Sequence, residues 1–388
     1  MNGDRRTYGV AEYEALMGGR PAERLAGLRH SSPQLYDTLL DSGFAGPLRR
    51  PELTRAQREL ATVAILAAMG GAEQQLRVHA QAALRQGLEP SELLALCEHV
   101  ALYAGFPRAL NALRVVDEVV GEAGHPRPPA LTPVTVRDHE TLVATAGDSG
   151  PAVVLLHALG LDWRMWEAVM NGVARGRRVI AYDLRGHGHA AGAPRPHTMD
   201  DAAADLIALL DALEIDRAHV VGLSYGGGIA QTAAVQHPER FASLALLATT
   251  DFPFDAFEAR ARSAEVDGME AQVVPSLTRW FTPAALATDA WGVRYARERV
   301  RRMSAADWAG AWRAFKGLDV QGRLSGFALP TLVLAGSEDA STTPAIMRAL
   351  AERIPAARYE ELPGVPHMQT LEQPAAVAAA LEAFLPRR

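Results

Sequence analysis

The sequence predicts two domains of different class: an all-α domain first, then an α/β domain with a mostly parallel sheet and a helical cap. Two observations carry this. Up to about residue 120 the apolar residues recur at helical spacing, and no strand pattern interrupts them. From about Val134 short β-branched runs alternate with helical stretches. Strands separated by helices imply a parallel sheet covered on both faces. A chain of 388 residues has room for both domains.

Four helices are legible in the first part. Arg55–Met69 has an apolar stripe and ends at Gly70-Gly71. Ala72–Gln86 follows, closed by Gly87. Pro90-Ser91 opens a third, running to Ala104 and stopping at Gly105-Phe106-Pro107, and Arg108–Val120 makes the fourth. The first domain is placed at residues 1–122. The stretch GEAGHPRPPALTP is rich in proline and glycine, so residues 123–133 read as a linker.

The second domain is placed at residues 134–388. Its strands are read at Ala152–Leu156, Arg178–Tyr182, His219–Val221, Ser243–Leu247, Thr331–Leu334 and Arg358–Leu362. Between Asp251 and Leu329 the alternation lapses into helical sequence with Trp and Arg, an insertion of the kind that caps a pocket, at about 252–328.

Composition narrows the function. The 48% hydrophobic and 22% charged content is that of a soluble globular protein. A net charge of -6 leaves no basic footprint for nucleic acid. The single cysteine, Cys97, excludes an internal disulfide and a CxxC redox pair. MNGDRRTYGV lacks the apolar core of a signal peptide and no run is long enough to span a bilayer, so a cytoplasmic, membrane-free enzyme is expected. Lys316 is the one lysine, in a polar segment with no supporting motif, so Schiff-base chemistry is not expected. No cofactor and no metal are called for.

The chemistry centres on AHVVGLSYGGGI, residues 218–229. It reads as a buried strand, a tight turn Gly222-x-Ser224-x-Gly226, and a helix start. Glycines let strand and helix approach closely, and the serine is held clear of the sheet. The new helix aims its free N–H groups at the place where an oxyanion would form. A serine nucleophile needs a base, and the base needs an orienting acid. The strand Thr331–Leu334 runs into AGSEDAS and offers Asp339; Arg358–Leu362 runs into PGVPHMQ and offers His367. Asp251, after Ser243–Leu247, is the rival acid. Of the two oxyanion donors, one is the N–H of Tyr225. The other belongs to the HALG loop after Ala152–Leu156, with Leu159 first and Ala158 next. His157, His187 and His189 read as structural. Taken without its context, Asp339 reads first as a turn or helix-cap residue, and the plain reading of His367 is a loop histidine.

Residues 131–388 resemble the α/β-hydrolase family, and within it the 3-oxoadipate enol-lactonases. The matching pieces are HALGLDWRMW (157–166), YDLRGHG (182–188), GLSYGGGIAQ (222–231), RWFTP (279–283), LAGSEDASTTP (334–344) and ELPGVPHMQTLEQP (361–374). The sequence departs from the lactonase pattern at Tyr225, where Met or Ile is usual, and in MQT after His367, where Ser and Asn are usual. The resemblance implies a small anionic lactone or ester as substrate. It implies that Trp280 and Trp163 bind it, with Arg279 as a carboxylate partner.

About residues 20–122 resemble the carboxymuconolactone decarboxylase family, through Arg58-Glu59-Leu60, Leu76-Arg77-Val78-His79 and Tyr103-Ala104-Gly105-Phe106-Pro107. Its thiol-peroxidase relatives use a CxxC pair; here AEQQ (72–75) has no cysteine, which leaves the decarboxylase branch. The family's upstream aromatic segment is absent from DSGFAGPLRRPEL, and its Asn-Asn-Gly turn is Arg85-Gln86-Gly87. The resemblance implies Glu59 and His79 as proton-handling residues, with Arg77 facing a substrate carboxylate. It also implies a homo-oligomer, trimer or hexamer, through the helical domain. Together the two resemblances imply a bifunctional enzyme of the protocatechuate branch of the β-ketoadipate pathway, although such fusions commonly carry the lactonase first. The alternative is a hydrolase for another ester or lactone, with the helices as an oligomerisation module. A third reading, a binding protein with a dead triad, conflicts with the intact Ser-Asp-His order.

Overall fold

The computed structural model describes residues 2–123, 128–355 and 357–386. The chain divides into two compact units, Met1–Pro128 and Pro129–Arg388. Residues 124–127 of the expected linker lie outside the described residues. Among the described residues no helix is long and apolar enough to cross a membrane.

The first unit is helical among its described residues. A helix at Asn2–Met17 and short turns up to Arg49 precede the four main helices: Arg55–Met69, Glu73–Arg85, Pro90–Ala104 and Phe106–Glu122. Thr54 opens the first of these with a reciprocal cap, its hydroxyl taking the Gln57 N–H while the Gln57 side chain takes the Thr54 N–H. Gly105, at φ 86, ends the third helix, and the fourth starts at the next residue, two positions before Arg108. The four helices bury one apolar core around Val63, Leu76, Leu93, Cys97, Val116 and Val119. A smaller cluster of Tyr13, Leu16, Tyr36, Leu40 and Phe44 closes one end.

The second unit holds an eight-stranded sheet: β1 (Ala130–Val136), β2 (His139–Ala146), β3 (Ala152–Leu156), β4 (Arg178–Tyr182), β5 (Ala218–Leu223), β6 (Phe241–Leu247), β7 (Thr331–Gly336) and β8 (Ala357–Leu362). The order is β1-β2-β4-β3-β5-β6-β7-β8. β1 and β2 pair antiparallel, as do β2 and β4, and the other neighbours are parallel. The six parallel strands are those read from the sequence. β1 and β2 were not anticipated, and β1 starts inside the stretch read as linker. Pro133 in β1 is tolerated because this is an edge strand, mostly exposed. β5 is buried on both faces over its whole length, as a central parallel strand must be.

Register sets the site. Leu156 of β3 pairs with Gly222 of β5, Leu223 with Leu247 of β6, and Gly336 of β7 with Leu362 of β8. The loops that follow therefore emerge along one edge of the sheet. The insertion after β6 is helical, as expected: Ala256–Asp267, Glu270–Trp280, Pro283–Ala287, Trp291–Arg302 and Ala305–Lys316. It roofs that edge.

Candidate active site

Ser224 occupies the corner between β5 and the helix Tyr225–Gln236, at φ 55 and ψ −115. This is a sparsely populated region for any residue with a Cβ. Three hydrogen bonds hold it there. The Ser224 N–H donates to the Leu247 carbonyl at 2.9 Å, and the Ser224 carbonyl accepts from the Gly228 N–H and the Thr249 hydroxyl. Gly222 and Gly226 permit the closeness of the corner. A Cβ on Gly222 would lie 2.4 Å from the Gly226 carbonyl oxygen, and one on Gly226 would lie 2.4 Å from that of Leu156.

Three loops converge on this serine. His367 Nε2 lies 3.2 Å from Ser224 Oγ, and His367 Nδ1 lies 2.8 Å from Asp339 Oδ2. Asp339 also accepts the N–H groups of Ser341 and Thr342 at 2.7 and 3.0 Å and the Thr342 hydroxyl at 2.7 Å. Burial pushes its carboxyl up, but the facing His367 and the Thr342 bonds outweigh that and hold it below its ordinary value. Such a chain can take a proton from a hydroxyl and stabilise the imidazolium that results. Asp251, the rival acid, is engaged elsewhere: it is fully buried and paired with Arg353 at 3.1 Å. Thr342 was missed in the sequence, although its place three residues after Asp339 suits a side chain that caps a carboxylate turn.

Two backbone segments border the space beside Ser224. The Tyr225 N–H is the first of its helix and has no acceptor within it. Leu159 lines the pocket above Ser224. The neighbouring Ala158 N–H is already engaged, aimed at Met165 Sδ 3.2 Å away. The cap grips this loop. Tyr295 Oη bonds to Asp162 at 2.7 Å, and a Cβ on Gly160 would lie 2.6 Å from the ring of Trp308.

His157, His187 and His189 are each engaged by partners other than Ser224. His157 is fully buried; its Nδ1 bonds the Ala158 carbonyl and its Nε2 accepts the Leu184 N–H. Burial lowers its pKa to about 3, and does the same for His187. His189 meets Glu140 at the surface.

Aromatic side chains of the cap wall the pocket: Trp280 and Trp312, with Phe254, Phe257 and Phe315. Arg279 lines it as expected, and so does Arg260, which was not anticipated from its polar helical stretch. Trp163 does not line it. That ring is buried in the core with the Arg164 guanidinium over its face, and the backbone N–H of Trp163 donates to Asp183 at 3.0 Å. A tryptophan's size calls for burial, and here the fold beneath the loop supplies it.

In the helical unit Glu59 and His79 meet at 2.8 Å, the carboxylate buried and the imidazole about a quarter exposed. Arg77 departs from expectation. It is held by Glu118 and Glu122 on the last helix, so its guanidinium is already neutralised. Cys97 is buried, which pushes its thiol up to about 11. Among the described residues one group, Asp138, His139 and Asp205, has cation-ligand spacing. Arg185 already bridges both carboxylates there, at 2.6 and 2.7 Å.

Comparison with known proteins agrees with the fold of both units. Residues 151–374 match the alpha/beta hydrolase fold family, and residues 33–118 match the carboxymuconolactone decarboxylase family. The chain is 33% identical to 3-oxoadipate enol-lactonase 2 of Acinetobacter baylyi, over 66% of this chain and 96% of that protein. It is 30% identical to 3-oxoadipate enol-lactonase 1 of the same organism, over 62% and 91%. The crystal structure of the enol-lactonase from Burkholderia xenovorans superposes with a TM-score of 0.63 at 30% identity, covering 65% of this chain and 99% of that one. This chain belongs to the alpha/beta hydrolase family, with a carboxymuconolactone decarboxylase family domain ahead of the hydrolase domain.

Proposed function

We propose that the second domain is a serine hydrolase that opens 3-oxoadipate enol-lactone, and that the first decarboxylates 4-carboxymuconolactone to supply it. The observation that carries the hydrolase reading is the relay at the corner, 3.2 Å from Ser224 to His367 and 2.8 Å on to Asp339. The enol-lactonase relatives support the substrate.

In this reading Ser224 Oγ attacks the lactone carbonyl as His367 takes its proton. The oxyanion is met by the N–H groups of Tyr225 and Leu159. The ring C–O bond then breaks. The enol oxygen leaves with the proton from His367 and tautomerises to a ketone, still tethered through the acyl group. Water, deprotonated by His367, frees the acyl group as a carboxylate and restores the serine. Trp280 walls the pocket and Arg279 receives the free carboxylate.

The decarboxylation needs no cofactor. Carbon dioxide leaves the ring carbon that bears oxygen, and the electrons pass through the double bond into the lactone carbonyl. His79, positioned by Glu59 at 2.8 Å, delivers the proton to the dienolate. A second reading keeps the hydrolase but makes the helical domain an assembly module. The two ion pairs of Arg77 favour it, because they make that arginine a strap between helices.

One experiment tests both. The purified chain is given 4-carboxymuconolactone while carbon dioxide and 3-oxoadipate are followed. Release of both supports the bifunctional reading, and Ser224→Ala then releases carbon dioxide while enol-lactone accumulates. Hydrolysis of added enol-lactone without carbon dioxide from 4-carboxymuconolactone selects the second reading. Turnover of neither substrate overturns both.

A further inference from the structure

Arginines in the cap are mostly neutralised by carboxylates. Arg313 meets Glu258 and Glu265, Arg301 meets Glu270, and Arg297 meets Asp289. Arg260 and Arg279 are different. They stand on adjacent cap helices, Ala256–Asp267 and Glu270–Trp280, and both line the pocket that contains Ser224 and His367. Among the described residues no carboxylate lies within ion-pair distance of either. Arg260 lies over the ring of Trp312, 4.8 Å from its centroid. Arg279 reaches only the Ser276 hydroxyl, at 3.4 Å.

Two half-buried like charges in an aromatic pocket oppose each other. Burial, and then the charge of Arg260, pull the Arg279 guanidinium down to about 10, and burial lowers Arg260 as well. An anion between them removes that repulsion and satisfies both sets of N–H donors. The planar fork of a guanidinium matches a carboxylate, and stacking on Trp312 fixes the plane of one fork.

Taking the Ser224 pocket as a hydrolytic site, we propose that Arg260 and Arg279 form a two-guanidinium clamp for a second, non-reacting carboxylate of the substrate. Arg260 is then a specificity-determining residue. The preferred substrates are lactones or esters that carry a free carboxylate a few carbons from the scissile carbonyl, and their neutral counterparts are discriminated against.

The test compares the p-nitrophenyl half-ester of adipate with p-nitrophenyl hexanoate, which has the same chain length without the charge, on the full chain. The reading is the ratio of kcat/KM for the anionic to the neutral ester. Arg260→Met keeps an apolar stem against Trp312 and is expected to lower that ratio about 10- to 100-fold, the usual loss for a charge-assisted contact. Arg260→Lys falls between, since it keeps charge without the fork. An unmoved ratio in Arg260→Met overturns the clamp. If that variant fails to fold by tryptophan fluorescence, Arg279→Met carries the same comparison. Adipate titrated into Ser224→Ala by calorimetry reads the clamp without turnover. Saturable binding that weakens at least tenfold on adding Arg260→Met supports it; no binding to Ser224→Ala overturns it. Adipate binding that depends on Arg260, with neither ester hydrolysed, keeps the clamp and overturns the hydrolase reading instead.

Discussion

The carbonyl of Trp280 accepts a 3.0 Å hydrogen bond from the N–H of Met368, the residue after His367. The last turn of a cap helix is thereby fastened to the loop that carries the histidine. A second tie lies beside it, from the Thr282 N–H to the Glu372 carboxylate at 3.1 Å. Trp280 thus both walls the pocket and ends a helix that steadies His367. Trp280→Ala is expected to cost about 3–5 kcal/mol of stability by emptying a buried site. It should also raise KM about tenfold or more, while Trp280→Phe, which refills part of the space, restores most of the stability and less of the KM. Equal recovery of both in Trp280→Phe would make Trp280 a packing residue only.

Ser224 stands at positive φ, so its two simplest replacements separate chemistry from strain. Ser224→Ala and Ser224→Gly should both abolish ester and lactone turnover, since each removes the attacking oxygen. Only glycine relieves the backbone, so Ser224→Gly is expected to be more stable than Ser224→Ala by about 1 kcal/mol. Turnover above a few per cent of wild type in either protein would move the nucleophile elsewhere.

The two acids differ in the partner each one faces. Asp339→Asn should lower turnover on the order of 10⁴-fold, because the imidazole loses the carboxylate that orients it. Asp251 faces Arg353 instead, so Asp251→Asn should remove the charge that pairs with this partly exposed arginine and lower stability while costing far less turnover. Steady-state kinetics and denaturant unfolding on both variants decide the assignment; the reverse pattern would place the acid after β6.

What was legible follows from range. Ser224, Asp339 and His367 each follow a strand, and strands announce themselves over a few residues, so topology alone brings them together. Arg260 and Trp312 take their meaning from contacts far along the chain, which no local pattern encodes, whereas Thr342 had a local signal in its place three residues after Asp339. Arg77 illustrates the converse. Its partners Glu118 and Glu122 lie on another helix, and nothing near Arg77 signals that they neutralise it. β1 escaped because its proline and exposed face resemble a linker, and edge strands are where such sequence is permitted.

Buried histidines beneath the site set a pH dependence of stability. His157 and His187 titrate at about 3 in the folded protein, lowered mainly by burial. Unfolded histidine titrates at about 6.5, so each one makes the unfolded state bind more protons between the two values. Stability is therefore lost as pH falls from about 6.5 towards 3. Asp183, pushed up to about 6 by burial and then by Asp162, acts with the opposite sign between about 4 and 6 and cancels part of that loss. Removing one histidine, as in His187→Asn, should flatten the slope between pH 6 and 4 by about 1.4 kcal/mol per pH unit. All six tryptophans lie in the second domain, so their fluorescence follows its unfolding alone. Equal slopes in the two proteins would mean that His187 is protonated in the folded state.

The helical domain leaves large apolar side chains in water. Tyr103 is 82% exposed and Leu102 76%, on the helix Pro90–Ala104; Phe106 and Leu110 continue the pattern on the next helix, and Ile65 and Met69 on the first of the four. A small helical domain that exposes so much apolar surface is expected to bury it against other copies. Light scattering on the full chain should give a homo-oligomer, and a charge placed on this surface, as in Tyr103→Glu with Phe106→Glu, should dissociate it. Ser224-dependent hydrolysis should survive dissociation, because each hydrolase domain holds its relay within one chain. The Glu59–His79 pair is read separately. His79→Ala should stop carbon dioxide release from 4-carboxymuconolactone and leave hydrolysis of the enol-lactone in place, since this pair and the three-residue relay belong to different compact units. A monomeric wild-type protein would remove the assembly surface, and normal decarboxylation by His79→Ala would assign the proton to another group.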